Sequence, residues 1–351
     1  MLLQASLDAF NTCCKMDDET TTPKAHPALD RTTSFIRAHD LDLSEEDVAK
    51  CCAEAASDGD ELRKISIDKE LLSLEGNGSG AIMSALVTIG LKEATDESSR
   101  WSATGSTDKI IKKRGKQLKK GKPNNTAEAE IMGPWENAAS GNDVFVWHSK
   151  CTRPGHGSDY PVAKSRGLIP ASAKDVVELL KDSNRVMEYN KMSVGREDQH
   201  VLTKDLNSSV HCLETKCPQL GVTGEAKIMS SKNQPPLTRK PLEFKTLFYA
   251  RHLNRDDGVE MDGAAYVTVG RSVWETPEGT TDGCDGSTTR CELLLSVNLV
   301  REITTENGEK WCELTSITHA VSPGIPIFIG KQIALNAAEN YIKDIRALFE
   351  K

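Results

Sequence analysis

The fold is decided by the last stretch of the chain, HAVSPGIPIFIGKQIALNAAENYIKDIRALFEK, His319–Lys351. Pro326 suits the first turn of a helix, where the N–H it lacks would have no intrahelical partner. From there to Phe349 there is no further proline, and Ala334, Leu335, Ala337, Ala338 and Lys343 are good helix formers. One helix is therefore predicted over 326–349. Ala334, Ala338, Tyr341, Ile345 and Leu348 recur at helical spacing with Leu335, Ile342 and Phe349 beside them, while Gln332, Asn336, Glu339, Lys343 and Glu350 fall opposite. About 24 residues at 1.5 Å each make a rod of roughly 36 Å. Covering its apolar side contributes on the order of 10–15 kcal/mol, and the simplest cover is a sheet.

Working backward, DVFVWHSK, EFKTLFYARHL, AAYVTVGRSVW, ELLLSVNLVREI and WCELTSITHAV are strand-like runs separated by turn-rich segments such as NRDDG and TTENGE. Short connections from the third run onward imply an antiparallel meander. One amphipathic helix, ASAKDVVELLKDS, stands among the early strands, with Ser172 placed to cap it. Strands with one early helix and a long helix last read as α+β.

Composition divides the chain. Of its 17 aromatic residues only Phe10, Phe35 and Trp101 precede Trp135. Residues 1–108 carry 10 Lys+Arg against 21 Asp+Glu, and residues 109–122 carry 8 against none. The expected organisation is an N-terminal arm over 1–134, largely disordered with short helices (LSEEDVAKCCAEAA, GAIMSALVTIGLKEAT) and a basic segment at 109–122. A folded domain over 135–351, sufficient by itself, follows. Balanced charge in the domain excludes a dedicated nucleic-acid binder. Ten cysteines without zinc-finger spacing read as reduced thiols, and no segment has the length and apolarity of a membrane span. A cytoplasmic protein, with peripheral membrane contact, is expected.

Within the strands, parity gives each run one greasier face: Leu293, Leu295, Val297 and Leu299; Ala265, Val267, Val269 and Val273; Leu242, Phe244, Phe248 and Ala250. Arg271 and Arg301 share such faces, either as snorkelling strand-end residues or as part of a polar cavity wall. Glu313 is placed to pair with one of them, and His319 lies on the same parity as Glu313. No catalytic motif is found: no Gly-x-Ser-x-Gly, no His-Glu-x-x-His, no P-loop and no dinucleotide fingerprint. No metal or cofactor is expected.

The blocks KSRGLIPASAKDVVELLKDSNRVMEYN, LEFKTLFYARHLNRDDGVEMDGAAYVTVGRSVW and WCELTSITHAVSPGIPIFIGKQIALNAAENYIKDI, in this order, resemble the START family of lipid-transfer domains over about residues 135–351. Leu242-Glu243-Phe244 replaces the family's usual Arg-Asp-Phe, and Tyr189-Asn190 its Trp-Asp. The resemblance implies a helix-grip fold, a curved antiparallel sheet around the C-terminal helix, with one lipid, a sterol or phospholipid, held between them and transferred or sensed without covalent chemistry. It then gives a purpose to the small residues Ala334 and Ala338 and to the hydroxyl of Tyr341. The expected cavity residues are Phe248, Val269, Arg271, Val297, Leu299, Arg301, Glu313, His319, Ala334, Ala338 and Tyr341. Lys112, Lys113, Arg114, Lys116, Lys119 and Lys120 are the expected contacts to anionic membranes, the competing readings being a solvated linker and a nuclear import signal. A helix-grip enzyme acting on a hydrophobic substrate, and an interaction scaffold with a filled interior, are the alternatives.

Overall fold

A computed structural model describes residues 35–36, 64–66, 77–121, 143–150, 160–203, 224–235, 238–261, 263–274, 286–304, 309–323 and 325–350. The helix predicted at LSEEDVAKCCAEAA and the Cys13-Cys14 pair lie outside them. Among the described residues the α-helices are α1 (Asn77–Thr95), α2 (Gly105–Gly121), α3 (Ala173–Lys181), α4 (Val186–Tyr189) and α5 (Ile327–Phe349). The strands are β1 (Phe35–Ile36), β2 (Lys64–Ser66), β3 (Ser102–Ala103), β4 (Val144–Lys150), β5 (Pro161–Ile169), β6 (Ser193–Thr203), β7 (Glu225–Asn233), β8 (Leu242–His252), β9 (Ala265–Trp274), β10 (Thr289–Arg290), β11 (Glu292–Thr304) and β12 (Lys310–Val321). They form one 12-stranded sheet whose main path is β3-β4-β5-β12-β11-β9-β8-β7-β6. Every pairing along that path is antiparallel. The meander predicted from β9 through β11 to β12 is present, and the α+β expectation holds.

Helices cover both faces of the sheet, and the two faces differ in composition. On the first, α1 packs Met83, Leu86, Val87, Ile89 and Leu91 into one cluster with Leu247, Val267, Val269, Leu295, Val297, Leu299 and Ile317. The approach is close at Gly90, where a Cβ atom would stand 3.0 Å from methyl groups of both Val269 and Val297. On the second, α5 and α3 share a cluster with Val144, Val146, Ala163, Ile169, Val300, Cys312 and Leu314. Strand alternation explains the split: Val297 and Leu299 point to α1, and Val300 between strands of the same sheet points to α5 and α3.

Residues before the expected boundary at 134 take part in this packing. α1 supplies core to the first face, β3 extends the sheet beside β4, and Thr107 of α2 seals the β4 edge. Its Oγ1 accepts from Val146 N at 2.7 Å and donates to Val146 O at 3.0 Å, satisfying backbone groups that a bare edge would leave open. GAIMSALVTIGLKEAT forms the predicted helix, but as a buried part of the domain. The low aromatic count upstream misled because α1 packs with aliphatic residues, which that count does not register.

α3 is capped as predicted, Ser172 Oγ accepting from Asp175 N at 3.1 Å. Its C-terminal carbonyls are met by cations: Arg196 Nη2 donates to Leu180 O at 2.9 Å and Lys227 Nζ to Lys181 O at 2.6 Å. Positive charge at this helix end is favourable. α5 starts one residue later than predicted, with Pro326 as its N-cap. Its C-terminal half is seated on β5 at Gly167, where a Cβ would stand 2.6 Å from Ile342 Cγ2 and 3.1 Å from Arg346 Nη2. Arg346 Nε donates to Leu168 O at 2.8 Å. Gly167→Ala should therefore cost about 1–3 kcal/mol through overpacking. Gly105→Ala, with nothing within 4 Å of its added Cβ, is the control, and equal melting temperatures for the two variants would contradict this seating.

Candidate binding site

The middle of the second face carries a row of buried neutral polar residues. In register across its strands, Ser165 of β5 pairs with Ser316 of β12, Ser316 with Asn298 of β11, and Asn298 with Thr268 of β9. All four are buried. Tyr341 of α5 reaches this row, its hydroxyl donating to Asn298 Oδ1 at 3.3 Å while Asn298 Nδ2 donates to Thr268 Oγ1 at 2.9 Å. Ser165 Oγ, fully buried, has no hydrogen-bond partner among the described residues. An unmet hydroxyl of this kind costs about 1–3 kcal/mol.

One step along the strands, the row Ala163, Thr318, Ser296, Gly270 and Phe248 lies on the same face. Thr318 belongs to β12, a central strand flanked by β5 and β11, yet it is exposed, and Ser296 beside it is half-buried. A central position on a helix-covered face is ordinarily closed off, so α5 and α3 leave this part of the face uncovered. Ala334, Ala338 and Tyr341, which pack against the second-face cluster, are themselves only half-buried. Beyond Gly270, Phe248 packs with Val177, Met229 and Ala250, making an apolar end of the floor.

Burial, with Tyr189 beside it, pushes the Tyr341 hydroxyl well above the usual phenol range, so it stays a neutral donor and acceptor. The Tyr189 ring meets that of Tyr341 edge-on at 5.8 Å, and Arg196 Nη1 donates to Tyr189 Oη at 3.3 Å. Lys227, also on this face, is committed elsewhere: besides Lys181 O, it pairs with Asp198 at 2.9 Å and Glu225 at 3.4 Å.

Of the eleven expected cavity residues, Phe248, Ala334, Ala338 and Tyr341 lie on the second face. The structure places the other seven on the first. Val269, Val297 and Leu299 pack under α1. His319 is buried in register with Val162 and Leu295 of the same cluster. Glu313 does find Arg301, at 2.5 Å, and also Arg166 at 3.0 Å, and Arg166 reaches Glu97 at 2.9 Å just past α1. Arg271 does not snorkel: it is 1% exposed, donates to Leu294 O at 2.6 Å and faces Glu292 at 3.7 Å. The parity was legible, but the greasier face is the one filled by a helix. The signal for the uncovered part of the second face is small polar residues at alternate positions of adjacent strands: Ser296 and Asn298, Ser316 and Thr318, Thr268 and Gly270.

The charged group under α1 is a clamp. Lys164 Nζ donates to Asp96 O at 2.7 Å, a carbonyl just past the α1 C-terminus, and stands 5.1 Å from the Trp101 ring centre. Burial, then repulsion from Arg166, brings its pKa down to about 8. The folded state thus gives up this proton at lower pH than the unfolded chain. Between about pH 8 and the unfolded lysine value of about 10.4 the unfolded state binds more protons, so this group's contribution to stability rises with pH. The melting-temperature difference between the natural chain and Lys164→Gln should move in favour of the natural chain from pH 8 to 10; a flat difference would contradict the assignment.

Of the six expected membrane contacts, Lys112, Lys113 and Lys116 are exposed on α2, as is Lys109. Arg114, Lys119 and Lys120 belong to the same helix, and their side chains lie outside what is described. Among the described residues no three metal-ligating side chains gather, and no helix is long and apolar enough to cross a membrane.

An open antiparallel sheet with a long C-terminal helix laid across one face, over a polar row, is the helix-grip α+β architecture. No protein-family model matches the chain, and no curated protein matches it. Among solved structures it is similar to human StAR-related lipid transfer protein 5, with a TM-score of 0.49 and 10% identity over 78% of this chain and 98% of that one. It is also similar to human STARD10 (0.45, 12%, 82% of each chain) and to the human StarD13 (DLC2) lipid transfer and protein localization domain (0.44, 14%, 74% of this chain and 94% of that one). The likeness to these three is low in score and in sequence identity. At such identities it says nothing of a ligand, and the functional argument rests on the chain's own second face.

Proposed function

We propose that the chain binds one lipid in the groove between α5 and the sheet and carries it between membranes in the cytoplasm. The observation that supports this is the exposure of Thr318 at the centre of a helix-covered sheet, with half-buried Ala334 and Ala338 on the helix above. Moving an apolar body from water into such a groove is favourable by about 25 cal/mol per Å² of apolar surface covered. The row at its inner end holds an amide and hydroxyls, groups that orient a ligand by hydrogen bonds, so binding without covalent chemistry is the reading they favour. Its test is titration with a fluorescent lipid. Saturation at one lipid per chain is expected, together with acceleration of lipid exchange between vesicles; no saturable binding of any lipid would end the proposal.

The second part of the proposal is docking through α2. Seven of the 17 residues of this helix are Lys or Arg and one is acidic, and the described lysines face solvent. Each cation near an anionic bilayer contributes up to about 1 kcal/mol. Replacing Lys109, Lys112, Lys113 and Lys116 by Gln should weaken binding to phosphatidylserine vesicles tenfold or more. Added salt should do the same to the natural chain, because exposed charges are screened over about 8 Å at physiological ionic strength. Indifference to both would leave the helix as a solvated surface.

A further inference from the structure

We propose that the ligand is a lipid alcohol, an apolar body carrying one neutral hydroxyl, and that this hydroxyl is received by Asn298, Tyr341 and Thr268. The inference deepens the lipid-binding reading and rests on it. The polar row at the inner end of the groove is made of neutral groups. Asn298 uses one N–H on Thr268 and one oxygen lone pair on Tyr341, so its amide keeps a second donor and a second acceptor site. Tyr341 Oη donates to Asn298 and still accepts. An incoming hydroxyl both donates and accepts, which is the complement of this pair. Ser316, buried between Ser165 and Asn298, adds a further hydroxyl to the same surface.

A phosphate or carboxylate headgroup needs cations instead, and Lys227 and Arg196 on this face are engaged. Lys227 Nζ has Lys181 O, Asp198 and Glu225 around it. Arg196 is spread over Ser183 at 3.0 Å, Leu180 O and Tyr189. Freeing either would unpair an acid or the α3 C-terminus. Lys331 of α5 stands beside His148, whose imidazole is held below its ordinary value by burial and then by that charge; His148 is in register with Ala163, so this cation lies at the β4 end of the exposed row, one step along the strands from the polar row. A charged lipid would have to leave its headgroup outside, with only chain ends reaching Asn298.

The test compares each alcohol with its capped form. Dehydroergosterol and its 3-O-methyl ether form one pair, and a fluorescent diacylglycerol and its O-methyl ether the other; fluorescent phosphatidylcholine is the charged reference. For at least one pair the alcohol should bind about tenfold more tightly than its ether and than phosphatidylcholine, the size of one net hydrogen bond. Tyr341→Phe, which keeps the ring against Tyr189, and Asn298→Leu should each remove most of that preference while leaving ether binding unchanged. Equal affinity for alcohol and ether, tighter binding of phosphatidylcholine, or variants that lose alcohol and ether alike would overturn the inference while the groove still binds lipid. Failure of every probe to bind the natural chain would overturn the lipid-binding reading as well.

Discussion

A chain cut to residues 135–351 should fail to fold. It lacks α1, and with it Met83, Leu86, Val87, Ile89 and Leu91, which sit on Val267, Val269, Val297, Leu299 and Ile317. Each such side chain contributes roughly 1.5–3 kcal/mol when fully buried, so the five together supply about 8–15 kcal/mol before their ordering cost. Domains of this size are stable by about 5–15 kcal/mol in total. The truncation also uncovers the apolar partners on the sheet, a surface that promotes aggregation. The expected result is insoluble protein or the loss of a cooperative melt, whereas a chain beginning at residue 60, which keeps α1 and β2, should melt cooperatively. Residues 135–351 melting like the full chain would show that α1 is dispensable.

Ala338→Phe should abolish lipid transfer while leaving the ligand-free protein about as stable as before. Ala338 is half-buried on the α5 side facing the second-face cluster. In a close-packed interior the added ring would cost about 1–3 kcal/mol. In an open groove it occupies ligand space instead, and transfer should fall tenfold or more. Gln332→Phe, on the exposed side of α5, should change neither property. Melting of delipidated protein and vesicle-to-vesicle transfer separate the cases. A sharply lowered melting temperature with transfer retained would make α5 an ordinary core helix.

Much of this fold is written locally. Pro326, the alanines and the apolar stripe specify α5, Ser172 starts α3, and alternating branched residues mark β9, β11 and β12. The role of α1 is not, because a helix of modest amphipathicity declares its partner only once strands far along the chain have assembled. The site was legible only in part. Ala334, Ala338 and Tyr341 were named because the START resemblance gives small residues and a hydroxyl on the closing helix a purpose, and all three lie on the face with the polar row. Val269, Val297 and Leu299 were assigned to the cavity because greasiness was read as ligand contact. A sheet covered on both faces reverses that logic: the apolar centre of the first face is filled by α1, while the face proposed to receive a guest carries Asn298, Ser316 and Thr268. Strand parity separates the two faces but does not say which helix covers which. The close approach of Gly90 to Val269 and Val297 does.

The most direct test of the groove is native mass spectrometry of the full chain after incubation with mixed-lipid vesicles, with the bound species released and identified. The expected spectrum shows the chain carrying a single lipid, absent from Ala338→Phe. A chain that emerges with no lipid, or one whose bound lipid is retained equally by Ala338→Phe, would contradict a binding site between α5 and the sheet.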